Sequence, residues 1–433
     1  MKVLHIIPDV NAGGASKGTY RIHHAVKKIG VDSHLVVLKK NFEESHIENV
    51  NAGITGWIGR KLHKEINRSL NKPFAHFKTT NQALHSFGLA RRGIIHKINQ
   101  SDADIIHLHW IANMLSIEDI GHITKPIAWT FHDMWPLCGA EHYVMDDSET
   151  ARFRVGYLEN NQPSYETGPD FNRFTWERKL AAWKDKTFHI ATCSHWLADC
   201  ARASPLFQNG SVRAINYPLD MESTFRPSPK AESRNLFHLP QDKKIILAGA
   251  IDSVNSFYKG GDLLKEAITH IANTGRKDVV VALFGEKADA QFTDWALPVI
   301  NVGRIYDEQL LGKLYSAADV VVMPSRQEAF GQVASEAQAC GTPAVVFNKG
   351  GPIDIVAHKE TGYLAKPFDT QDLAEGICWV LDEQSKGDHL SRQSRERAMR
   401  LFSAQLAGKK YCELYEAALS SAHPIPPFKI ECL

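Results

Sequence analysis

The feature that most constrains this chain is a recurring alternation: short runs that are apolar throughout, separated by longer amphipathic stretches. In the first half the runs are Val3 to Ile7, His34 to Leu38, Ile105 to His109, Ile127 to Phe131 and His189 to Cys193. In the second half they are Lys244 to Ala248, Val279 to Phe284, Val299 to Val302, Val320 to Met323 and Ala344 to Phe347. Runs of this kind are parallel strands covered on both faces, and their alternation with helical stretches marks βα units. Two sets predict two Rossmann-like, doubly wound parallel-sheet α/β domains, over 1–217 and 218–401. The boundary is set by Asn216-Tyr217-Pro218 after the last strand of the first set, with Pro227 and Pro229 punctuating a polar link. The segment from Ala140 to Trp176 is long, polar and aromatic, and reads either as an active-site flap or as a surface insertion. The tail HPIPPFKIECL, with three prolines, closes an extended stretch over 420–433.

Charge and cysteine content narrow the function classes. A formal net charge of +1 gives no global field to attract nucleic acid. The seven cysteines (138, 193, 200, 340, 378, 412 and 432) form no CxxC pair, which fits a reducing, cytoplasmic compartment better than a disulfide framework or a zinc site. No run reaches the ~18 apolar residues of a membrane span. The opening MKVLHIIPDV turns polar too soon for a signal peptide and reads as a buried first strand.

The chemistry concentrates in EAFGQVASE, residues 328–336, which follow the apolar VVVMPS and open a helix. Glu328 falls in the loop before the helix and Glu336 about two turns inside it. Between them Phe330, Gly331, Gln332 and Val333 form a helix N-terminus, where backbone N–H groups and the helix dipole favour an anion. Gly331 allows close approach to the backbone. One element thus offers carboxylate acceptors for hydroxyls on either side of a phosphate cradle. Two solvent-facing glutamates on an ordinary helix are the plainer alternative.

The wider stretch DVVVMPSRQEAFGQVASEAQACGTPAVVFNKGGPIDIV resembles the E-x7-E signature of retaining glycosyltransferases of family 4, and ETGYLAKPFDTQDLAEGI resembles that family's closing pattern. The first half resembles it more loosely, in the loop Ala12-Gly13-Gly14-Ala15, the strand DIIHLHW and TFHDMWPLCG. The resemblance implies the GT-B fold, two Rossmann-like domains facing a cleft, with a last helix (402–419, carrying Tyr411 and Tyr415) returning to the N-terminal domain. It implies a retaining, metal-independent transfer from a nucleotide-diphosphate sugar, a substrate rather than a cofactor, to a saccharide or lipid-linked saccharide. The HDMWPLCGAEHY loop is similar to a subgroup of bacterial surface-polysaccharide enzymes, and family frequency favours a UDP-sugar.

Carried over residue by residue, Glu336 accepts ribose hydroxyls and Glu328 contacts the transferred sugar. Backbone groups of Phe330, Gly331 and Gln332 face that sugar and the phosphates. Lys259, in FYKGG, reaches the diphosphate, where a cation stabilises the leaving group. A second cation usual in the family is missing at Gly249-Ala250-Ile251. Arg304 and Ile305 lie where the family holds the nucleobase. Gly13 and Gly14 approach the phosphates, and His132 stands near the donor sugar, a solvent-facing turn histidine being the alternative. Asp133 and His109, at strand ends, are acceptor-side candidates, with a structural role open for His109.

Other classes have weaker signals. A metal-dependent GT-A transferase needs a DxD-type motif; Asp102-Ala103-Asp104 has the spacing but leads directly into a strand, and Asp146-Asp147 is a bare pair. A dinucleotide-binding oxidoreductase needs GxGxxG after the first strand, and none is there. A non-catalytic sugar-nucleotide binder stays open because of the missing arginine. Between Arg60 and Lys97, nine lysines and arginines interleave with Trp57, Ile58, Leu62, Ile66 and Leu70. That pattern reads as a core helix with a basic face or as a surface docking on anionic lipid.

Overall fold

The computed structural model describes all residues except 11–12, 40–43, 51–73, 75, 91–92, 146–147, 250–255, 288–291 and 423–433. Most of the basic segment, the Asp146-Asp147 pair, Ala250-Ile251 and the end of the tail therefore lie outside the described residues.

The chain divides into two compact domains. One comprises Met1–Cys193, Leu197–Ile215 and the C-terminal stretch from Ala407; the other comprises Ser194–Trp196 and Asn216–Leu406. Asn216 and Tyr217 thus belong to the second domain.

The first domain is built on β1 (Lys2–Ile6), β2 (Asp32–Val37), β3 (Ile47–Asn49), β4 (Ile105–Leu108), β5 (Ile127–Phe131), β6 (Phe188–Thr192) and β7 (Ser211–Ala214). They form one parallel sheet in the order β3-β2-β1-β4-β5-β6-β7. The second is built on β8 (Lys244–Gly249), β9 (Val279–Phe284), β10 (Val299–Gly303), β11 (Val320–Met323), β12 (Ala344–Phe347) and β13 (Gly362–Ala365). Its order is β10-β9-β8-β11-β12-β13, again all parallel. Each sheet runs outward from its first strand, reverses, and continues on the other side, the doubly wound pattern. Together they give the two-domain GT-B fold.

The central strands are buried along their whole length: β5, β9, β11 and β12 have no exposed residue. Val, Ile and Ala fill them because both faces need apolar, β-branched surface. Ile246, Val281, Val320 and Val345 from four strands meet Leu264, Ile268, Ile377 and Leu381 from two helices in the core of the second domain. The edge strands β3, β7 and β13 escaped the sequence reading because they are short and partly polar, as in Ser211–Ala214 (SVRA).

The described residues of segment 140–176 are tied into the first domain at several points. Phe153 and Tyr157 are completely buried, Arg152 pairs with Glu166 and Asp170, and Glu166–Thr167 pairs antiparallel with Lys78–Thr79. The partners are far apart in sequence and show no periodicity, so the stretch looked like a loop. Its last helix, Phe171–Trp183, brings in Lys179, fully buried, whose ammonium donates to the carbonyls of Trp135, Cys138 (2.9 Å) and Gly139 (2.7 Å). The final helix begins at Ala404 and runs to Ala422, with Phe402 as the buried end of the helix before it.

Candidate functional site

In an open α/β sheet, ligands bind at the carboxyl ends of the strands, where the strand order reverses. In the second domain that point lies between β8 and β11. The segment after β11 carries Glu328, and the segment after β8 carries Lys259.

A glycine brings these segments together. Gly260 has φ 68°, and a Cβ there would stand 2.0 Å from the Pro324 carbonyl oxygen. Only glycine lets the turn Phe257–Lys259 lie directly on the end of β11. The contact is clamped by Arg326, which donates to the Phe257 carbonyl (2.9 Å) and forks onto Asp262 (2.7 and 2.5 Å). With the turn so fixed, Lys259 Nζ lies 2.6 Å from Glu328 Oε2. Behind Glu328, Gly350 and Gly351 pack against its backbone: the Gly351 N–H donates to the Glu328 carbonyl at 2.9 Å, and a Cβ on Gly351 would stand 2.2 Å from the Ala329 oxygen.

The helix Gln332–Ala339 starts from Gly331, which is left-handed at φ 108°. No side chain caps this N-terminus, and a helix N-terminus is a position that suits an anion. Gly331 is also pressed by Met323 and Ile355; a Cβ would meet the Met323 methyl at 2.8 Å. The Phe330 ring is buried against Tyr217 and Phe402, so Phe330 can offer a ligand only its backbone. Val333 and Gln332 form the first turn. Glu336, one turn further on, is 3% exposed, and its Oε2 accepts from Tyr315 Oη at 2.8 Å. Arg304 is exposed, its Nε donating to the Gly285 carbonyl at 3.3 Å; Ile305 beside it is half-buried.

In the first domain the corresponding reversal lies between β1 and β4. Gly13, with φ 87°, starts the helix Gly13–Lys28 after β1, with Gly14 in its first turn. His109 directly follows β4 and His132 directly follows β5. His132 is buried rather than turned to solvent. Its Nε2 lies 3.0 Å from His109 Nδ1 and 3.4 Å from Thr19 Oγ1. Burial pulls the His132 pKa down to about 4, against the opposing pull of Asp133. His109 Nε2 in turn lies 2.8 Å from His5 Nδ1. Burial alone drives His5, His107 and His109 far toward the neutral form, and the neighbouring imidazoles add to it.

Asp133 is committed to its own loop. Its carboxylate accepts from His142 Nδ1 (2.6 Å), Trp110 Nε1 (2.9 Å) and the Trp135 N–H (3.0 Å). Burial would raise its pKa, but His142 and these donors hold it below the usual carboxylate value.

His5, His107 and His109 have ring nitrogens close enough to share a metal ion. Both His107 nitrogens are already engaged, however, by Tyr415 Oη and Thr130 Oγ1, each at 2.8 Å. His109 likewise uses both ring nitrogens, toward His5 and His132, so these rings are occupied by hydrogen bonds to one another and to Tyr415 and Thr130. Asp102 and Asp104 are taken up by Lys2, through its side chain and its N–H respectively, both at 2.7 Å.

The sequence reading missed Tyr315, Arg326, His5 and His107. His5 and His107 carried a visible signal, histidines inside otherwise apolar strands and in phase with His109 on one face (VLHII, IIHLHW). Tyr315 and Arg326 carried none, because their partners are set by tertiary contact.

Comparison with known proteins agrees with this layout. Residues 230–397, fewer than half of the 433, match the family described as "Glycosyl transferases group 1". The chain is similar to the D-inositol 3-phosphate glycosyltransferase of Saccharomonospora viridis, 32% identical over 226 residues, 49% of this chain and 51% of that protein. It spans about half the length of the curated relatives it matches. Among solved structures, sucrose-phosphate synthase from Thermosynechococcus elongatus matches with a TM-score of 0.63 at 20% identity, covering 97% of this chain and all of that one. Anabaena HepE in complex with UDP and glucose matches with a TM-score of 0.62 at 15% identity, covering 96% of this chain and 100% of that one. At these identities the structures establish the fold.

Proposed function

We propose that this protein is a retaining glycosyltransferase that moves a sugar from a nucleotide-diphosphate donor to a saccharide acceptor. The observation that carries this reading is the Lys259–Glu328 pair, 2.6 Å apart beside the uncapped helix N-terminus at Gly331, within the group 1 domain.

The parts divide the labour by chemistry. The N-terminus of Gln332–Ala339 supplies backbone donors and dipole for the diphosphate. Lys259 adds a compact cation that stabilises charge as the leaving group departs. In the unliganded site Glu328 holds that cation; on donor binding it exchanges the ammonium for sugar hydroxyls. Glu336, braced by Tyr315, accepts from the ribose. In the first domain Gly13, Gly14 and His132, at the carboxyl ends of the strands, are the candidates for ligand contact. The protein's contribution is then orientation and fixed electrostatics, with the departing diphosphate taking the acceptor proton.

We further propose a UDP-sugar as donor and a cell-envelope glycan, free or lipid-linked, as acceptor. HepE's complex with UDP and glucose, on the same fold, fits that donor. No helix among the described residues is long and apolar enough to cross a membrane; the basic segment between Arg60 and Lys97 would dock the protein on anionic lipid. The deciding experiment is a thermal-shift and turnover panel of UDP-, GDP- and ADP-sugars. The reading expects one nucleotide class to raise the melting temperature by mass action and to turn over. Binding without turnover, even with a panel of saccharide and polyprenyl-phosphate acceptors, would favour the non-catalytic binder.

A further inference from the structure

One residue, Arg326, joins the segments that carry Lys259 and Glu328. Its backbone N–H donates to the Tyr258 carbonyl at 2.9 Å, and its guanidinium donates to the Phe257 carbonyl at 2.9 Å. The two carbonyls before Lys259 are thus held from a single point in the loop that leads to Glu328. On the other side of Lys259, Asp262 takes the guanidinium fork at 2.7 and 2.5 Å, from the first turn of the helix Gly261–Asn273. The Phe257 ring stacks on the guanidinium, with its centroid 4.5 Å from the central carbon. Arg326 therefore grips the chain both before and after Lys259.

The turn itself has little else to hold it. Phe257–Lys259 is one 3₁₀ turn; none of its residues is buried and no side chain caps it. A single such turn is a poor anchor. Yet a lysine that stabilises charge in a transition state must be placed in advance, and its four-carbon stem is flexible. The fork onto Asp262 supplies placement rather than stability. The Asp262 side chain is 64% exposed, and an ion pair open to water adds little to folding, whereas two parallel N–H donors onto one carboxylate fix direction as well as distance. Both terminal nitrogens of Arg326 are spent on this hold, so Arg326 bears on a phosphate through Lys259 rather than as a second cation.

We propose that Arg326 and Asp262 are positioning residues that act through Lys259. They hold its backbone beside the end of β11, so that side-chain rotation alone carries the ammonium from Glu328 to the phosphate of a departing nucleotide. The consequence for turnover rests on the glycosyltransferase reading above; the hold on Lys259 does not.

The test is a mutant cycle with two readouts. The first needs no turnover: lysines are acetylated with a water-soluble succinimidyl ester and quantified by mass spectrometry, with Lys184, 70% exposed, as internal reference. Held against Glu328, Lys259 should label slowly in the wild-type protein and several-fold faster in Arg326→Gln and Asp262→Ala. The second readout is kcat and KM for hydrolysis of the nucleotide sugar selected by the panel, with water standing in for the acceptor. Arg326→Gln should lower kcat about tenfold or more and leave KM within about threefold. The double variant Lys259→Ala with Arg326→Gln should be no slower than Lys259→Ala alone, because residues acting through one group do not add. Asp262→Ala should reproduce the loss of kcat with Tm within about 4 °C of wild type. Arg326→Lys, which keeps the charge but not the fork, should retain only part of the turnover. Losses that multiply in the double variant, or unchanged labelling of Lys259 in both single variants, overturn the proposal. If Arg326→Gln does not fold, the same cycle run with Asp262→Ala decides. Faster labelling of Lys259 in the variants of a protein that turns over no nucleotide sugar would sink the functional reading and leave the hold on Lys259 standing.

Discussion

Replacing Lys179 by methionine tests how the first domain holds the turn from Trp135 to Gly139, which follows directly on His132 and Asp133. The Lys179 ammonium is fully buried and donates to three carbonyls, with the Trp135 ring 3.8 Å away. Three donors require the charged form, yet burial pulls its pKa from 10.5 down to about 7. Methionine keeps the volume and strands the three carbonyls, at about 1–3 kcal/mol each. Against that loss, the variant no longer has to bury an ammonium. The three carbonyls together lose about 3–9 kcal/mol and at pH 7 this relief is worth up to about 5 kcal/mol, at ~1.4 kcal/mol per unit of depression, so the net change at pH 7 lies between a gain of about 2 and a loss of about 4 kcal/mol. The sign with pH follows from linkage. Between about pH 7 and 10.5 the unfolded chain binds more protons than the folded one at this group, so wild-type stability gains from this lysine as pH rises and loses it again as pH falls toward 7. The variant lacks that slope, and the gap between the two proteins should widen by about 2–3 kcal/mol from pH 7 to 9. Urea unfolding followed by tryptophan fluorescence at pH 7, 8 and 9 measures it. Parallel pH profiles would refute the depressed lysine, and equal stability at every pH would refute the carbonyl cradle.

The remaining expectations concern the second domain. Lys259→Ala should lower kcat by roughly a hundredfold or more, the scale of removing one transition-state electrostatic contact, with Lys259→Arg restoring part of it; steady-state turnover of the donor identified in the panel reads this. Glu336→Ala should raise the donor KM about tenfold or more by removing a charged hydrogen bond, and Tyr315→Phe should act in the same direction while narrowing the preference for ribo- over 2′-deoxy donors. Unaltered KM in both would detach Glu336 from the nucleotide. The product should keep the donor's anomeric configuration and activity should survive EDTA; an inverted anomeric signal by NMR, or loss of activity to the chelator, would remove the retaining, metal-independent mechanism.

The legible and illegible parts of this molecule differ in range. Strands such as Val279–Phe284 and Val320–Met323 announced themselves because a strand buried on both faces must be apolar at every position. The strand–loop–helix around Gly331 was legible for a related reason: a glycine before a helix and carboxylates at fixed offsets are local patterns. The packing of segment 140–176 was not legible because it comes from Arg152 reaching Glu166 and Asp170, and from Asn172 reaching Glu166 at 2.7 Å, all side-chain links without a period. The edge strand Ser211–Ala214 was missed because an edge needs apolar character on fewer of its positions.

The histidines show where the two ranges meet. Sequence placed His109 and His132 at strand ends, the right place for ligand contact, and left open whether His109 was structural. The register joins what sequence kept apart: His5 lies beside His107 across β1 and β4, and His107 beside Ala128 across β4 and β5. Parallel neighbours in register carry their side chains to the same face, so His5 and His107 lie side by side, and His109, two residues after His107, extends that face toward the carboxyl edge of the sheet. A row of buried, mutually bonded imidazoles costs desolvation that Ile or Val at the same positions would not incur. Such a cost at the strand ends where ligands bind is characteristic of a site maintained for chemistry rather than for stability. On that argument His109, within hydrogen-bond reach of both His5 and His132, belongs to the buried row that lies beneath the strand ends.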